Sequence, residues 1–382
     1  TIFIKYKMIN TKVSPLKVIN LEEDNNVLNF TIEKINVSYV NALRRIMLSN
    51  VPIIVFKTYP YNENQVSIEI NKTRFNNELI KQRMSCIPIH IDDIENFSYQ
   101  DYVIELHRKN DTDESTYATT GDFKIKNIKL NKYLNNSDVI KIFPPNSLTG
   151  DYIDIVRLRS KINDNNNCEE IKLEAKLSIG TAEEDGAFNI VSMATYGNTL
   201  DPAEIKKQWE IKELELKKTN NSDEIEQLKK DWLLIDAKKY FINDSFDFKL
   251  QSIGIYKNIK IVELSCKILI KKLFMALEDL KNDLTLINEI PDSLENCFNI
   301  TIKNEDYTIG KIIENYLYKV YFLEKKEIKY ISFLKKHPHD KDSIIKISYK
   351  STTNKEDIIN QMEQCINYSI STVNSIQEYF VS

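Results

Sequence analysis

Glycine is scarce in this chain, 7 in 382 residues, and none of the seven sits in a Walker loop or a GxGxxG turn; HExxH is missing too. Nucleotide-cradling loops and zincin-type hydrolysis are thereby excluded. Cysteines are five, Cys86, Cys168, Cys266, Cys297 and Cys365, odd in number and widely scattered. That usage fits reduced, buried thiols in a reducing compartment better than a disulfide framework. No apolar run approaches a membrane span, and the opening TIFIKYKMIN lacks the apolar core and cleavage site of a signal peptide. Because numbering starts at Thr1, some N-terminal residues are expected to precede it. Like-charged blocks are short, and 52 basic against 56 acidic side chains leave a net charge of −4. A strong footprint for nucleic acid is therefore lacking, and no sequence-specific DNA contact is expected.

What is present is ordinary globular material: 42% hydrophobic and 28% charged residues, in a length sufficient for two or three domains. Val27 to Ile35 alternates as a strand, and a helix is expected from Ser38, as N-cap, to Ser49 before Pro52. Strand patterns then dominate to about 178, at 65–70, 101–106, 121–130, 151–159 and 170–179, predicting a β-rich, antiparallel block. Residues 180–201 hold three of the seven glycines and read as irregular. Residues 203–240 read as a charged helical hairpin, with Ser222 capping its second arm. A strand at 244–256 leads to a long helix from Asn258, in which Val262, Cys266, Leu269, Leu273, Ala276 and Leu280 recur in steps of four and three. Beyond a linker at Pro291-Asp292 come strand, helix, two strands and a last helix from Thr353 to Phe380. There Thr353 and Glu356 form a capping box, and Ile359, Met362, Ile366, Ser369, Val373 and Ile376 repeat the three-four spacing.

The two ends resemble each other when FTIEKINVSYVNALRRIML is set beside ITIKNEDYTIGKIIENYLY with Gly310 opposite Val40. At about 100° per residue, Tyr39, Ala42, Leu43, Ile46 and Met47 share one side of the first helix. Ile309, Ile312, Ile313, Tyr316 and Leu317 share the matching side of the second. A twenty-residue match can arise by chance; recurrence of the downstream strand and long helix in the same order favours a repeat. The fold expected is α+β: two modules, each an antiparallel sheet with two helices, packed helix to helix as an intramolecular pseudo-dimer. A β-rich domain is inserted in the first. The modules are placed at 1–58 with 186–287 and at 288–382, with the insertion at 59–185. Leu43, Ile46, Met47, Val262, Cys266, Leu269, Leu273, Ile309, Ile313, Leu317, Met362, Ile366 and Val373 are expected at their interface.

Opposite the apolar side of the first helix, Asn41, Arg44, Arg45 and Leu48 cluster at i, i+3, i+4, i+7. Two guanidinium groups beside an asparagine and a leucine suit a protein partner, although on the residues alone a plain solvated face is the favoured reading. Their counterparts are Lys311, Glu314, Asn315 and Tyr318, so the two outer faces differ.

VNALRRIMLSNVPI followed by FNNELIKQRMSCIPIHI resembles the signature of the RNA polymerase α family: the bacterial α subunit, the archaeal D subunit and the third-largest subunit of eukaryotic RNA polymerase II. That resemblance implies docking onto the second-largest catalytic subunit through Asn41, Arg44, Arg45, Leu48, Glu78, Arg83 and Pro88. SIGTAEEDGAFNIVSMATYGNTLDP looks like the family's return into the dimerisation domain, with Asp185 where histidine is more usual. FNITIKNEDYTIGKIIENYL and FLKKHPHDKDSIIKISYK are similar to the eleventh subunit and archaeal L subunit, carried by Asn304, Glu305, Asp306, Thr308, Gly310, His337 and Pro338. Tyr307 and Lys311 depart from that motif. Both partners on one polypeptide look like the fused assembly subunit of large cytoplasmic DNA viruses, which the abundance of Asn, Ile and Lys suits. The resemblance implies a non-catalytic platform for the largest and second-largest subunits and small zinc-containing subunits, in virion and host cytoplasm.

The eukaryotic third subunit has a four-cysteine zinc cluster in its inserted domain and many archaeal counterparts have cysteines for an iron-sulfur centre, whereas residues 59–185 hold only Cys86 and Cys168. No metal and no cofactor are expected in this chain. His337-Pro338-His339 reads as a loop turn and 111–115 as a solvated one. The magnesium-binding aspartate triad of polymerase largest subunits is missing, and the family's DNA-binding C-terminal domain is not expected. Two rivals stand beside the platform: a free-standing virion scaffold of the same fold, and a nucleic-acid-binding factor, which the charge balance disfavours.

Overall fold

The computed structural model describes residues 16–161, 168–218, 221–290 and 294–381; the opening TIFIKYKMIN, Asn220 and the expected linker Pro291-Asp292 lie outside them. Among the described residues eight α-helices form: α1 (Val37–Ser49), α2 (Asn77–Ser85), α3 (Asn136–Ile142), α4 (Pro202–Leu216), α5 (Ser222–Leu234), α6 (Asn258–Asn282), α7 (Tyr307–Leu317) and α8 (Lys355–Gln377). The chain divides into two compact units. One comprises the described residues of Thr1–Ile46, Met193–Gln251 and Asn258–Ser382, the other Met47–Ser192 with Ser252–Lys257.

The first unit is built on two four-stranded sheets. One runs in the order Lys17–Asp24, Val27–Glu33, Phe241–Ser252, Val191–Leu200, the other Ile287–Glu289, Cys297–Ile302, Ser343–Tyr349, Ile328–Leu334. The second sheet is antiparallel throughout. Alternation buries Leu28, Phe30 and Ile32 on one face of the first sheet, and Phe298 with Ile300 and Ile302 on one face of the second. Phe30 stacks on Phe248 at 4.8 Å and meets Phe380, beyond the end of α8, edge-on at 5.0 Å. Helices α6 and α8 pack along each other, while α7 packs on α8 and on strands Ile328–Leu334 and Ser343–Tyr349. All six stripe residues of α6 are buried. In α8 the stripe begins at Ile358, with Ile359 only half-buried, and continues through Met362, Ile366, Ser369, Val373 and Ile376.

Helix starts fall on asparagines one or two residues from the expected caps. The Asn36 side chain accepts from the Ser38 amide at 2.9 Å, and Asn354 from the Asp357 amide at 2.7 Å. Asparagine at these positions caps better than the threonine at 353. Likewise α5 opens with the Asn221 amide donating to Glu224. Residues 191–200, expected as irregular, form an edge strand; Gly197 sits in open space, and the solvent exposure of that strand is what disguised it. A π-helical turn, Tyr318–Glu324, continues α7. The helical hairpin of α4 and α5 closes on Trp209 and Trp232, ring centroids 5.3 Å apart.

The second unit holds an antiparallel sheet ordered Val66–Asn71, Glu170–Lys176, Tyr102–Lys109, Lys124–Asn127, Lys132–Tyr133, over a core that includes Ile80, Met84, Leu106 and Leu173. Helices α2 and α3 break its β character, and the strand expected at 121–130 contracts to Lys124–Asn127. The boundary with the first unit falls after Ile46 and not after 58. Ile53–Val55 pairs with Ser178–Gly180, and the Tyr256 hydroxyl donates to the Pro52 carbonyl at 2.9 Å, so this stretch joins the inserted block.

Candidate docking and dimerisation surfaces

In α1 the apolar side is fully internal: Tyr39, Ala42, Leu43 and Ile46 are buried, as are Ile309, Ile312, Ile313 and Leu317 of α7. Met47 is buried as well, just past the point in α1 where the division between the two units falls. Polar links cross the first unit. The Tyr39 hydroxyl and Ser369 hydroxyl lie 3.0 Å apart in the interior, joining α1 to α8, and burial pushes the Tyr39 phenol far up.

Arg45, expected on a docking face, has an intramolecular partner instead. Its Nε donates to the Thr308 hydroxyl at 2.8 Å and its Nη2 to the Asp306 carboxylate. Asp306 is the N-cap of α7, accepting from the Thr308 amide at 2.8 Å. The charge therefore serves two purposes, closing the helix end and holding α1. Burial acts to raise the Asp306 carboxyl, yet the Thr308 hydroxyl and amide, with Arg45 and Lys335 nearby, outweigh it and hold the group below its ordinary value. Beside this, Glu305 pairs with Lys272 of α6 at 2.9 Å. Arg44 is placed differently. It donates from Nε and Nη2 to Asn41 Oδ1 at 3.2 and 3.0 Å, within its own helix, and both residues stay half-buried at the surface.

Gly310 explains itself through Phe333. A Cβ there would stand 1.9 Å from the ring, so only glycine lets strand Ile328–Leu334 approach α7 this closely. Tyr307 closes on the same ring edge-on at 4.9 Å, and the Phe333 amide donates to Glu314 at 3.0 Å. His337 and Pro338 lie in an exposed turn, where the His337 amide donates to Asp340 and His339 to the His337 ring. Among the described residues no three His, Cys, Asp or Glu side chains converge as metal ligands.

In the second unit, Glu78 is exposed in the first turn of α2, and Pro88 is half-buried. Arg83 is committed: Nε donates to the Ile155 carbonyl at 2.7 Å and Nη2 to that of Asp154 at 2.6 Å, tying α2 to strand Asp154–Leu158. Its expected docking role thus has a structural competitor. Phe75 and Leu79 are exposed beside it. Sequence reasoning passed over Lys272, Phe333 and the Tyr39–Ser369 pair. Only Phe333 had a local signal, the glycine in the middle of α7.

Residues 29–273 match the RNA polymerase Rpb3/Rpb11 dimerisation domain, and the chain belongs to that family. The family name carries a non-catalytic, dimerising part in DNA-directed transcription; residues 274–382 lie beyond the matched span. A segment of 74 residues is 36% identical to DNA-directed RNA polymerases IV and V subunit 3B of Arabidopsis thaliana, covering 19% of this chain and 20% of that protein. The chain thus spans about a fifth of that relative's length.

Proposed function

We propose that this chain is the assembly platform of a multisubunit DNA-directed RNA polymerase, a single polypeptide standing in for the α-type dimer. The observation that carries the reading is the contact set inside the first unit. There two sheet-and-helix sets in one chain meet through α6 and α8, through Tyr39 and Ser369, and through Arg45 with Asp306 and Thr308. A subunit that satisfies its dimerisation contact internally needs no second copy. On this reading the two sets form a pseudo-dimer, with the second unit inserted in the first set.

The second-largest subunit docks on the Asn41–Arg44 face and the largest mainly on the C-terminal set. The second unit offers Glu78 with the exposed Phe75 and Leu79 as a docking surface of its own, and small zinc-containing subunits are expected to join on that unit. The chain itself takes no metal, since Cys86 and Cys168 are too few for the family's clusters. Two such modules on one polypeptide and the Asn-, Ile- and Lys-rich composition support a further part of the proposal, that the polymerase is that of a large DNA virus, acting in virion and host cytoplasm.

Arg44→Ala tests the docking face. Its guanidinium bonds only within α1 among the described residues, so the chain is expected to stay folded while the second-largest subunit no longer co-purifies. Retained co-purification would move the docking face elsewhere.

A further inference from the structure

An open groove of about 470 Å³ lies within the first unit, lined by Ser38 and Asn41 of α1, Lys311, Asn315 and Tyr318 from α7 and the turn after it, and Ile331. Ile331 sits in Ile328–Leu334, an edge strand whose only sheet neighbour among the described residues is Ser343–Tyr349. The Phe333 amide points away from that neighbour, held by Glu314 at 3.0 Å. In an antiparallel pair residues two apart turn their backbone groups the same way, so the Ile331 amide and carbonyl also face the open edge.

Two further features restrict what fits. The Ser38 hydroxyl is buried in the lining with no hydrogen-bond partner among the described residues. Lys311 and Glu314, which also lines the groove, pair at 2.5 Å, so the two charges cancel. Tyr318, first residue of the π turn, stacks on Phe322 at 5.0 Å and gives the groove a large apolar surface beside Ile331. A neutral, part-apolar channel beside a backbone edge is complementary to a strand and poorly suited to an anion or a basic tail.

We propose that this groove takes an uncharged, extended segment of a partner protein as an added strand beside Ile328–Leu334. An aliphatic or aromatic side chain of the segment rests on Tyr318 and Ile331, and a polar group meets Ser38. Asn41 belongs both to this lining and to the Asn41–Arg44 face, so the partner is the subunit docked there; the inference rests on that part of the platform reading.

Amide hydrogen exchange, measured on the full chain alone and in complex with the second-largest subunit, tests it. The Ile331 amide is expected to slow at least about tenfold in the complex, roughly 1.4 kcal/mol of added protection, while the Phe333 amide changes little. A complex that forms without slowing at Ile331 overturns the groove and leaves the docking face standing; failure to form any complex overturns both. Slowing at Ile331 in the chain alone, growing with its concentration, would mean that a second copy fills the groove and would also overturn the proposal. Ile331→Pro gives an independent readout, because it removes an outward amide and spares the ladder to Ser343–Tyr349. Binding at least about tenfold weaker with an unchanged Tm is expected, and undiminished affinity contradicts the added strand.

Discussion

Arg45 and Asp306, 261 residues apart in sequence, form an ion pair that joins α1 to the N-terminus of α7. Each side chain keeps about a third of its surface exposed, 35% and 30%, so Coulomb attraction alone would contribute little. What strengthens the contact is its setting: the same carboxylate caps a helix, and the same guanidinium also reaches Thr308.

The pair should therefore behave as a unit in stability. Arg45→Ala and Asp306→Ala, measured singly and together by denaturant unfolding, are expected to be non-additive by at least about 0.5 kcal/mol. Asp306→Ala is the costlier single change, because it also removes a cap worth about 0.5–2 kcal/mol. Strict additivity would mean that the two residues act separately.

Acid should weaken the same contact. The Asp306 carboxyl lies below its ordinary value in the folded chain, so the native state binds fewer protons than the unfolded one as pH falls through that range. Its contribution is complete above the unfolded pKa of about 3.9 and is lost as pH drops through the lower folded value. The stability difference between wild type and Asp306→Asn should hold from neutrality to about pH 5 and shrink below pH 4. A difference independent of pH would contradict the assignment.

Gly310→Ala has a sign that decides between two accounts. In an unobstructed helix the change would stabilise by about 1 kcal/mol. Here the new Cβ meets the Phe333 ring, and a loss of about 1–3 kcal/mol is expected, seen as a lower Tm. Combining it with Phe333→Ala should cost less than the sum of the two single changes.

The apolar stripes of α6 and α8 were readable because helical spacing is a local property: Val262, Cys266, Leu269 and Leu273 recur as a buried face must. The family's own signature in α1 was readable too. Its outer face was only partly legible: Arg44 turns to Asn41 within the face, but Arg45 turns to Asp306. Nothing in the neighbourhood of Arg45 announces a partner on a distant helix. Arg83 carries the same lesson, because an arginine that binds backbone carbonyls of a strand 71 or 72 residues away looks in sequence like any surface cation. The strand at 191–200 was missed for a different reason: an exposed edge strand has no buried alternation to betray it.

Stoichiometry tests the central claim most directly. Purified alone, the chain should be a monomer, and in a complex assembled with the largest and second-largest subunits its native mass should correspond to one copy of each. Two copies of this chain per complex, or a chain that retains neither large subunit, would contradict the single-chain platform.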